Sequence, residues 1–206
     1  MRKLLESAIL FVTAFFLVLP SAYAQEPVVS AQNLSASTML ENLFTQIPAL
    51  MQLVTAVAYV MGMYFIFYGI GLLKQYGESR TMMSHQHTLK GPIIFIVIGT
   101  ALLYLPSSVQ IGLTTFWSTP NPYGYLDQNS QWTSFIQACF TIIQLVGTIA
   151  FIRGLVIFTQ LGGHGGHHPG AFAKGLTHVI GGILCINIYQ FVQVIIQTFG
   201  LPSILP

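Results

Sequence analysis

Charged residues are scarce in this sequence: lysine, arginine, aspartate and glutamate make up 6% of its 206 residues, whereas hydrophobic residues make up 53%. A soluble domain carries about 25% charged residues to cover its surface, so water is not the main solvent of this chain. Seven basic and five acidic residues provide no strong basic field, which argues against direct nucleic-acid binding. The composition therefore predicts a membrane protein whose partners are lipid and other proteins.

Other absences exclude several kinds of chemistry. The two cysteines, Cys139 and Cys185, are too few for a disulfide scaffold and lack the spacing of a zinc site. No phosphate-binding G-x-x-x-x-G-K-[ST] loop occurs, so energy for any transport must come from a separate ATPase. No acidic or basic residue lies near the middle of a predicted span, as an acid–base site would need. We therefore predict neither an enzyme nor a cofactor-binding protein.

Residues 1–24 have the pattern of a bacterial signal peptide. Arg2 and Lys3 precede an apolar run from Ala8 to Leu19, and Ala22-Tyr23-Ala24 forms an A-x-A cleavage pattern. Glu6 is unusual so close to the apolar run, so an uncleaved first helix is the alternative. We expect cleavage, because the run is about 12 residues long and a spanning helix needs about 20. Residues 25–47 are polar and are predicted to form a periplasmic lead-in.

Four long stretches without charge follow, and each can hold a membrane-spanning helix. The predicted helices lie near residues 48–73, 92–117, 132–158 and 176–199. They make two hairpins, the first over 48–117 with a cytoplasmic loop at 74–91, and the second over 132–206 with a cytoplasmic loop at 159–175. Residues 118–131 form the periplasmic loop between them. The fold class is therefore predicted to be all-α, with four transmembrane helices.

The charges also predict the orientation of these helices. The two loops assigned to the cytoplasm hold or adjoin every basic residue that follows the signal peptide: Lys74, Arg80, Lys90, Arg153 and Lys174. The segments assigned to the opposite side contain the acidic residues Glu26, Glu41 and Asp127. Basic residues collect on the cytoplasmic side of inner-membrane proteins. We therefore expect a multi-pass protein of the bacterial inner membrane with both mature termini in the periplasm.

A weak internal repeat relates the two predicted hairpins. The interval from Gly62 to Gly147 is the same as the interval from Gly69 to Gly154. Lys90-Gly91 recurs as Lys174-Gly175 at an interval that is shorter by one position. This pattern predicts a duplicated helical hairpin in parallel orientation, unlike the inverted repeats of many secondary transporters.

Glycines and amides are the predicted means of helix association. Small residues let membrane helices approach closely, and side-chain amides form hydrogen bonds between them. Gln144, Asn187 and Gln190 are the amides expected to need partners inside the spans, and a polar conduit lined by them is the alternative. The residues predicted to contact a partner helix or subunit are Gly62, Gly69, Gly147, Gly154, Gly181, Gly182 and Asn187.

The second cytoplasmic loop is rich in glycine and histidine. His164, His167 and His168 could supply imidazole ligands to a transition metal. Glycine on both sides of His164 makes such ligands hard to hold in place, so a flexible turn is the preferred interpretation. These histidines are weak candidates for a metal site.

Several short motifs stand out along the chain. They are Gln46-Ile47-Pro48, Ala58-Tyr59-Val60, the segment from Tyr76 to Ser84 that reads YGESRTMMS, Lys90-Gly91-Pro92, the segment LYLPSS from Leu103 to Ser108, and the helix entry from His178 to Gly182 with Asn187. Together they resemble the IcmC/DotE family of inner-membrane components of the Dot/Icm type IVB secretion system. The resemblance covers most of the mature chain. It implies a structural role in an apparatus that exports effector proteins or conjugative DNA, and no catalytic or ligand-binding residue.

The expected partners are other membrane subunits of that apparatus and, as a further possibility, copies of this chain. We predict that the first cytoplasmic loop is the main docking surface, through Lys74, Glu78, Arg80 and Lys90. The alternative is that these charges only determine the membrane orientation. Two other functions are open from the sequence, namely a pilin-like subunit of a conjugative assembly and, ranked lower, a small transporter or channel.

Overall fold

The computed structural model describes residues 36–81, 89–124, 131–162 and 170–200, so the predicted signal peptide lies outside the described residues. The described residues form α-helices and one short 3-10 helix at Gln160–Gly162, and they contain no β-strand. The all-α prediction is therefore confirmed for this part of the chain. The helices are α1 (Ala36–Thr81), α2 (Lys90–Leu103), α3 (Leu105–Phe116), α4 (Gln131–Thr159), α5 (Ala171–Ile186) and α6 (Ile188–Thr198).

Two of the helices are long and apolar enough to cross a membrane. The spanning segments are Thr45–Glu78 within α1 and Ile136–Gly162, which comprises most of α4 and the 3-10 helix. The number rises to four if the pair α2 and α3 and the pair α5 and α6 each count as one broken span. Helix α1 also begins at Ala36, so part of the segment predicted as a lead-in is helical.

Each predicted returning helix is broken by a sharp bend. We expected helices at 92–117 and 176–199, but α3 turns by 93° from α2, and α6 turns by 87° from α5. The two breaks have nearly the same backbone conformation, with φ −102° and ψ 43° at Tyr104 and φ −108° and ψ 43° at Asn187. The interval between Tyr104 and Asn187 is close to the repeat interval in the sequence.

The first break has a proline as its local cause. Pro106 is the second residue of α3, where it has no N–H to donate and its ring would collide with the carbonyl group of Leu102 in a continuous helix. The bend frees carbonyl groups at the end of α2. The Ser108 hydroxyl donates to one of them, the Ala101 oxygen, at 2.9 Å.

The first helix pair, α1 with α2, packs through glycines. A Cβ atom added to Gly62 would lie 2.8 Å from the Gly99 oxygen, and one added to Gly99 would lie 2.8 Å from the Gly62 oxygen. Closer to the connection between the helices, a Cβ on Gly69 would lie 2.8 Å from the side chain of Ile96. Any larger residue at these positions would push the two helices apart.

The second helix pair, α4 with α5, repeats these contacts. A Cβ on Gly147 would lie 2.9 Å from the Gly182 oxygen, and one on Gly182 would lie 2.7 Å from the Gly147 oxygen. Gly154 approaches Val179, with a Cβ position 2.8 Å from its backbone nitrogen. Each contact of the first pair thus has a counterpart in the second pair.

Helix α4 occupies the centre of the bundle, whereas α1 lies at its edge. In the apolar window of α4, 50% of the residues are buried, against 17% in that of α1. Gly91 of α2 packs closely on Gly162 after α4, and this contact joins the two helix pairs at one end. The buried apolar core is formed by Ala58, Ile98, Leu102, Leu105, Leu113, Phe151, Ile152, Leu155, Ile183 and Ile186.

Two adjacent glycines of α5 provide a direct test of the packing. We expect Gly182→Ala to destabilise the chain by about 1–3 kcal/mol, because its methyl group would meet the backbone of α4. A Cβ at Gly181 has no neighbouring atom within 4 Å, so Gly181→Ala is expected to be neutral or to stabilise α5 by up to about 1 kcal/mol. Thermal unfolding of the two variants in detergent would measure the difference. Equal melting temperatures would contradict the packing described above.

Candidate functional site

Three amide side chains are linked by hydrogen bonds to one another or to the loop that follows α3, and we call Gln144, Asn187 and Gln190 the amide cluster. Gln144 of α4 is 3% exposed, and Asn187 at the break is fully buried. Gln190 is the third residue of α6 and is half-buried. The cluster is the main group of buried polar side chains in the described part of the chain that bonds across elements.

Gln190 holds the loop that follows α3. Its Nε2 donates to the Thr119 oxygen at 3.0 Å, and its Oε1 accepts from the Asn121 backbone N–H at 3.1 Å. A single side-chain amide therefore bonds to the backbone of two residues of the loop, as a neighbouring β-strand would. This arrangement ties α6 to a segment that lies far earlier in the sequence.

Gln144 makes a second connection to the same loop. Its Nε2 donates to the Pro122 oxygen at 2.6 Å. The loop from Thr119 to Pro122 is thus bonded to α4 and to α6 at once. These bonds from Gln144 and Gln190 run from helix side chains to the backbone of the loop.

The orientation of Asn187 follows from that of Gln190. Because Gln190 must present its oxygen to the Asn121 N–H, Asn187 can bond to the same oxygen only through its own Nδ2 group, as observed. The Asn187 Oδ1 atom then points away from Gln190, and it has no hydrogen-bond partner among the described residues. A buried acceptor without a donor is unfavourable by about 1–3 kcal/mol.

The basic residues of the described helices lie at one end of the bundle. Lys74 near the end of α1, Lys90 at the start of α2 and Lys174 in the first turn of α5 are all exposed. We call this end of the bundle the lysine end. Lys74 forms an exposed ion pair with Glu78 at 3.8 Å, and such pairs contribute little to stability. Arg80 belongs to the last turn of α1, and the side chain of Arg153 is exposed on α4.

The structure brings most of the predicted glycines together within the chain. Gly62 and Gly69 contact α2, while Gly147, Gly154 and Gly182 lie between α4 and α5. Only Gly181 in this set has no close neighbour. The close approaches that the sequence predicted are therefore used to form the fold. Cys185 also packs against Gly147, and both cysteines are free.

The three loop histidines, His164, His167 and His168, lie outside the described residues. His178 in α5 has its Nδ1 atom 2.8 Å from the Lys174 carbonyl oxygen, a contact in which the ring N–H donates within the helix. Among the residues that the structure describes, no group of three or more histidine, cysteine, aspartate or glutamate side chains could hold a metal ion.

Sequence reasoning missed two features of this site. The loop groups at Thr119, Asn121 and Pro122 are backbone atoms, so no residue type marks them. The break at Asn187 has no proline, since Tyr189 occupies the position that corresponds to Pro106. For Asn187 and Gln190, the sequence predicted only that both amides need hydrogen-bond partners, and it did not identify those partners.

Comparisons with protein-family models, with curated proteins and with solved structures find no match to this chain. The resemblance to the IcmC/DotE family therefore stays a prediction. The geometry itself offers amide and backbone hydrogen bonds that hold a loop against two helices. Such hydrogen bonds stabilise one arrangement of the loop and the two helices.

We expect Gln190→Leu to release the loop from α6. Three hydrogen bonds are lost, two to loop backbone groups and one from Asn187, and each contributes about 1 kcal/mol, so we expect a destabilisation of about 3 kcal/mol. Hydrogen exchange at the Asn121 amide should become faster, which can be followed in detergent by mass spectrometry. Gln197→Leu on the exposed part of the same helix is the matched control and should change stability by less than about 0.5 kcal/mol. Unchanged exchange at Asn121 in Gln190→Leu would show that the loop is held in another way.

Proposed function

We propose that this protein is a structural inner-membrane component of a type IVB, Dot/Icm-like secretion apparatus. It acts as a membrane-embedded protein of fixed conformation, and other subunits bind to it. One observation carries the proposal. The glycines let the helices pack closely on one another, and the buried amides bond helices to a loop, so both kinds of residue stabilise the fold. The motifs from Tyr76 to Ser84 and from Leu103 to Ser108 supply the link to this family.

The proposal includes four membrane crossings arranged as a duplicated hairpin. Support comes from the matching glycine contacts, Gly62 with Gly99 and Gly147 with Gly182. The two breaks add a second correspondence, because Tyr104 and Asn187 are separated by the same interval as Gly99 and Gly182. In this arrangement each bent helix pair is one crossing, and the lysine end faces the cytoplasm in accordance with the positive-inside rule.

Helix α1 provides the largest surface for a partner subunit. Its outer face carries Tyr64, Phe67 and Tyr68, whose exposed fractions are 58%, 67% and 43%. Aromatic residues are enriched in protein–protein interfaces. Tyr64 lies near the middle of the Thr45–Glu78 span, where a hydroxyl group facing hydrocarbon is unfavourable without a hydrogen-bond partner. A transmembrane helix of another subunit, or of a second copy, would cover this face.

A second candidate function is that of a small transporter or channel. Broken helices and an unpaired buried acceptor occur at the substrate sites of transporters, and Asn187 Oδ1 at the break between α5 and α6 favours this alternative. Flux of ions or small solutes through liposomes that contain only this protein would support it. A pilin-like subunit would instead be recovered from sheared surface filaments.

The secretion proposal predicts that the first cytoplasmic loop binds other subunits. We expect the double change Arg80→Ala with Lys90→Ala to reduce co-purification of apparatus subunits by roughly tenfold, since each exposed charge contributes up to about 1 kcal/mol to binding. The measurement is quantitative mass spectrometry of the complex captured on a tag at the C-terminus. Secretion of a reporter effector should fall in parallel.

The matched control is Lys174→Ala, at the corresponding position of the second helix pair. It should leave co-purification unchanged, because its loop is not the proposed docking surface. A reporter fused to the C-terminus must show the same membrane orientation in every variant, since loss of basic residues can invert a membrane protein. If the double variant recovers all subunits and secretes fully, the first loop is not the docking surface. If the unaltered chain recovers no apparatus subunit, the secretion role itself is rejected.

A further inference from the structure

Helix α6 has a polar stripe and a wide apolar face. Gln190, Gln193 and Gln197 recur at intervals of three and four residues, so they lie on one side of the helix. The rest of the helix is almost entirely apolar, and no residue of α6 is buried in this chain. Val194 is 50% exposed and Ile195 is 38% exposed. Ile195 lies on the side of the helix opposite the glutamines, whereas Val194 lies at the border between the two sides. The apolar side is only partly covered by the described part of the protein, where Tyr189 packs on Phe140.

The length of α5 determines the depth at which α6 begins. From Lys174 to the break at Asn187, a helix rises about 20 Å, whereas the hydrocarbon core is about 30 Å thick. If Lys174 lies at one boundary, the break lies about 10 Å below the other. That depth is close to the range of about 5–10 Å at which amphipathic helices lie in a membrane surface. The 87° bend then directs α6 along the membrane plane.

The loop on the polar side of α6 determines which side of the helix faces lipid. Gln190 bonds to Thr119 and Asn121, so the glutamine stripe faces the loop at the end of the bundle opposite the lysine end. The apolar residues on the other side then face the hydrocarbon. Helix α3 differs, because Gly112 packs on Ile183 of α5 and its outward side is mixed, with Ser107, Gln110 and Thr114 beside the exposed Ile111.

We propose that α6 lies in the plane of the membrane, at the headgroup boundary opposite the lysine end. Its partner is lipid, namely the headgroups and the adjoining part of the acyl chains. Ile195 enters the acyl region and Val194 lies at its border, while Gln193 and Gln197 face the headgroups. The stripe has no charge, so this position does not depend on anionic lipid. The inference needs the chain to be embedded in a bilayer but does not need it to belong to a secretion apparatus.

The test measures depth at pairs of positions four residues apart in the full-length chain. Spin labels are attached to single cysteines at Val194 and Thr198 of α6, with Cys139 and Cys185 replaced by alanine. The matched control pair is Phe172 and Leu176 of α5, which are also exposed. The proteins are placed in vesicles of phosphatidylcholine alone and of phosphatidylcholine with phosphatidylglycerol. Depth is obtained from relaxation by oxygen and by a water-soluble nickel chelate.

We expect the two labels on α5 to differ in depth by about 6 Å and the two labels on α6 to differ by less than about 2 Å, in both lipid mixtures. A label at Gln193 should be more accessible to the chelate than one at Ile195, which lies on the opposite side of the helix. If the α6 labels differ in depth as much as the α5 labels do, the helix continues across the bilayer. Equal chelate access at Gln193 and Ile195 would show that the apolar face does not bind lipid. Either result overturns the proposal. Equal depths for the two labels on α5 would show that α5 does not cross the membrane, and this result would also overturn the proposal. The secretion role would then be judged by the co-purification experiment alone.

Discussion

Close approach of helix backbones at glycine is the constraint on which the rest of the structure depends. Lipid tails are as apolar as leucine, so helices in a bilayer are held together by packing and hydrogen bonds. Gly147 and Gly182 permit contacts between α4 and α5 that even a single methyl group would prevent. Gly62 and Gly99 do the same for α1 and α2. Because these contacts determine how far each helix is shifted along its neighbour, they also determine the level at which α2 and α5 break.

The two breaks differ in the side-chain hydrogen bonds that surround them. A bend near 90° leaves backbone groups without helical partners, which is unfavourable where water is scarce. At the first break, the Ser108 hydroxyl bonds to a freed carbonyl within the same helix pair. At the second, Gln190 and Asn187 bond to one another, and Gln190 continues to the loop after α3. The second break therefore also connects the two halves of the chain.

The two ends of the helix bundle carry different side chains, and its helices are buried to different extents. Its lysine end carries charged side chains, whereas the opposite end has hydroxyl and amide groups on α3 and α6. Helix α4 is surrounded by the other helices, while α1 leaves aromatic side chains uncovered. In the proposed role, the exposed face of α1 would contact a neighbouring helix, the lysine end would contact other subunits and α6 would contact lipid. These features agree with a structural component of a membrane assembly, as proposed.

The sequence by itself determined the all-α class of the described residues, the apolar segments and several of the glycines at which helices meet, although not Gly99. These properties follow from composition and from spacing along one helix, so Gly62 and Gly147 could be found without a structure. The bends at Tyr104 and Asn187 could not be predicted, because the apolar stretches continue through both positions and only Pro106 gives a local reason for either. The partners of Gln144 and Gln190 also required the tertiary structure. They are backbone groups of a loop that lies near these amides only after the helices have packed, and a hydrogen bond between distant segments depends on that packing rather than on residue type.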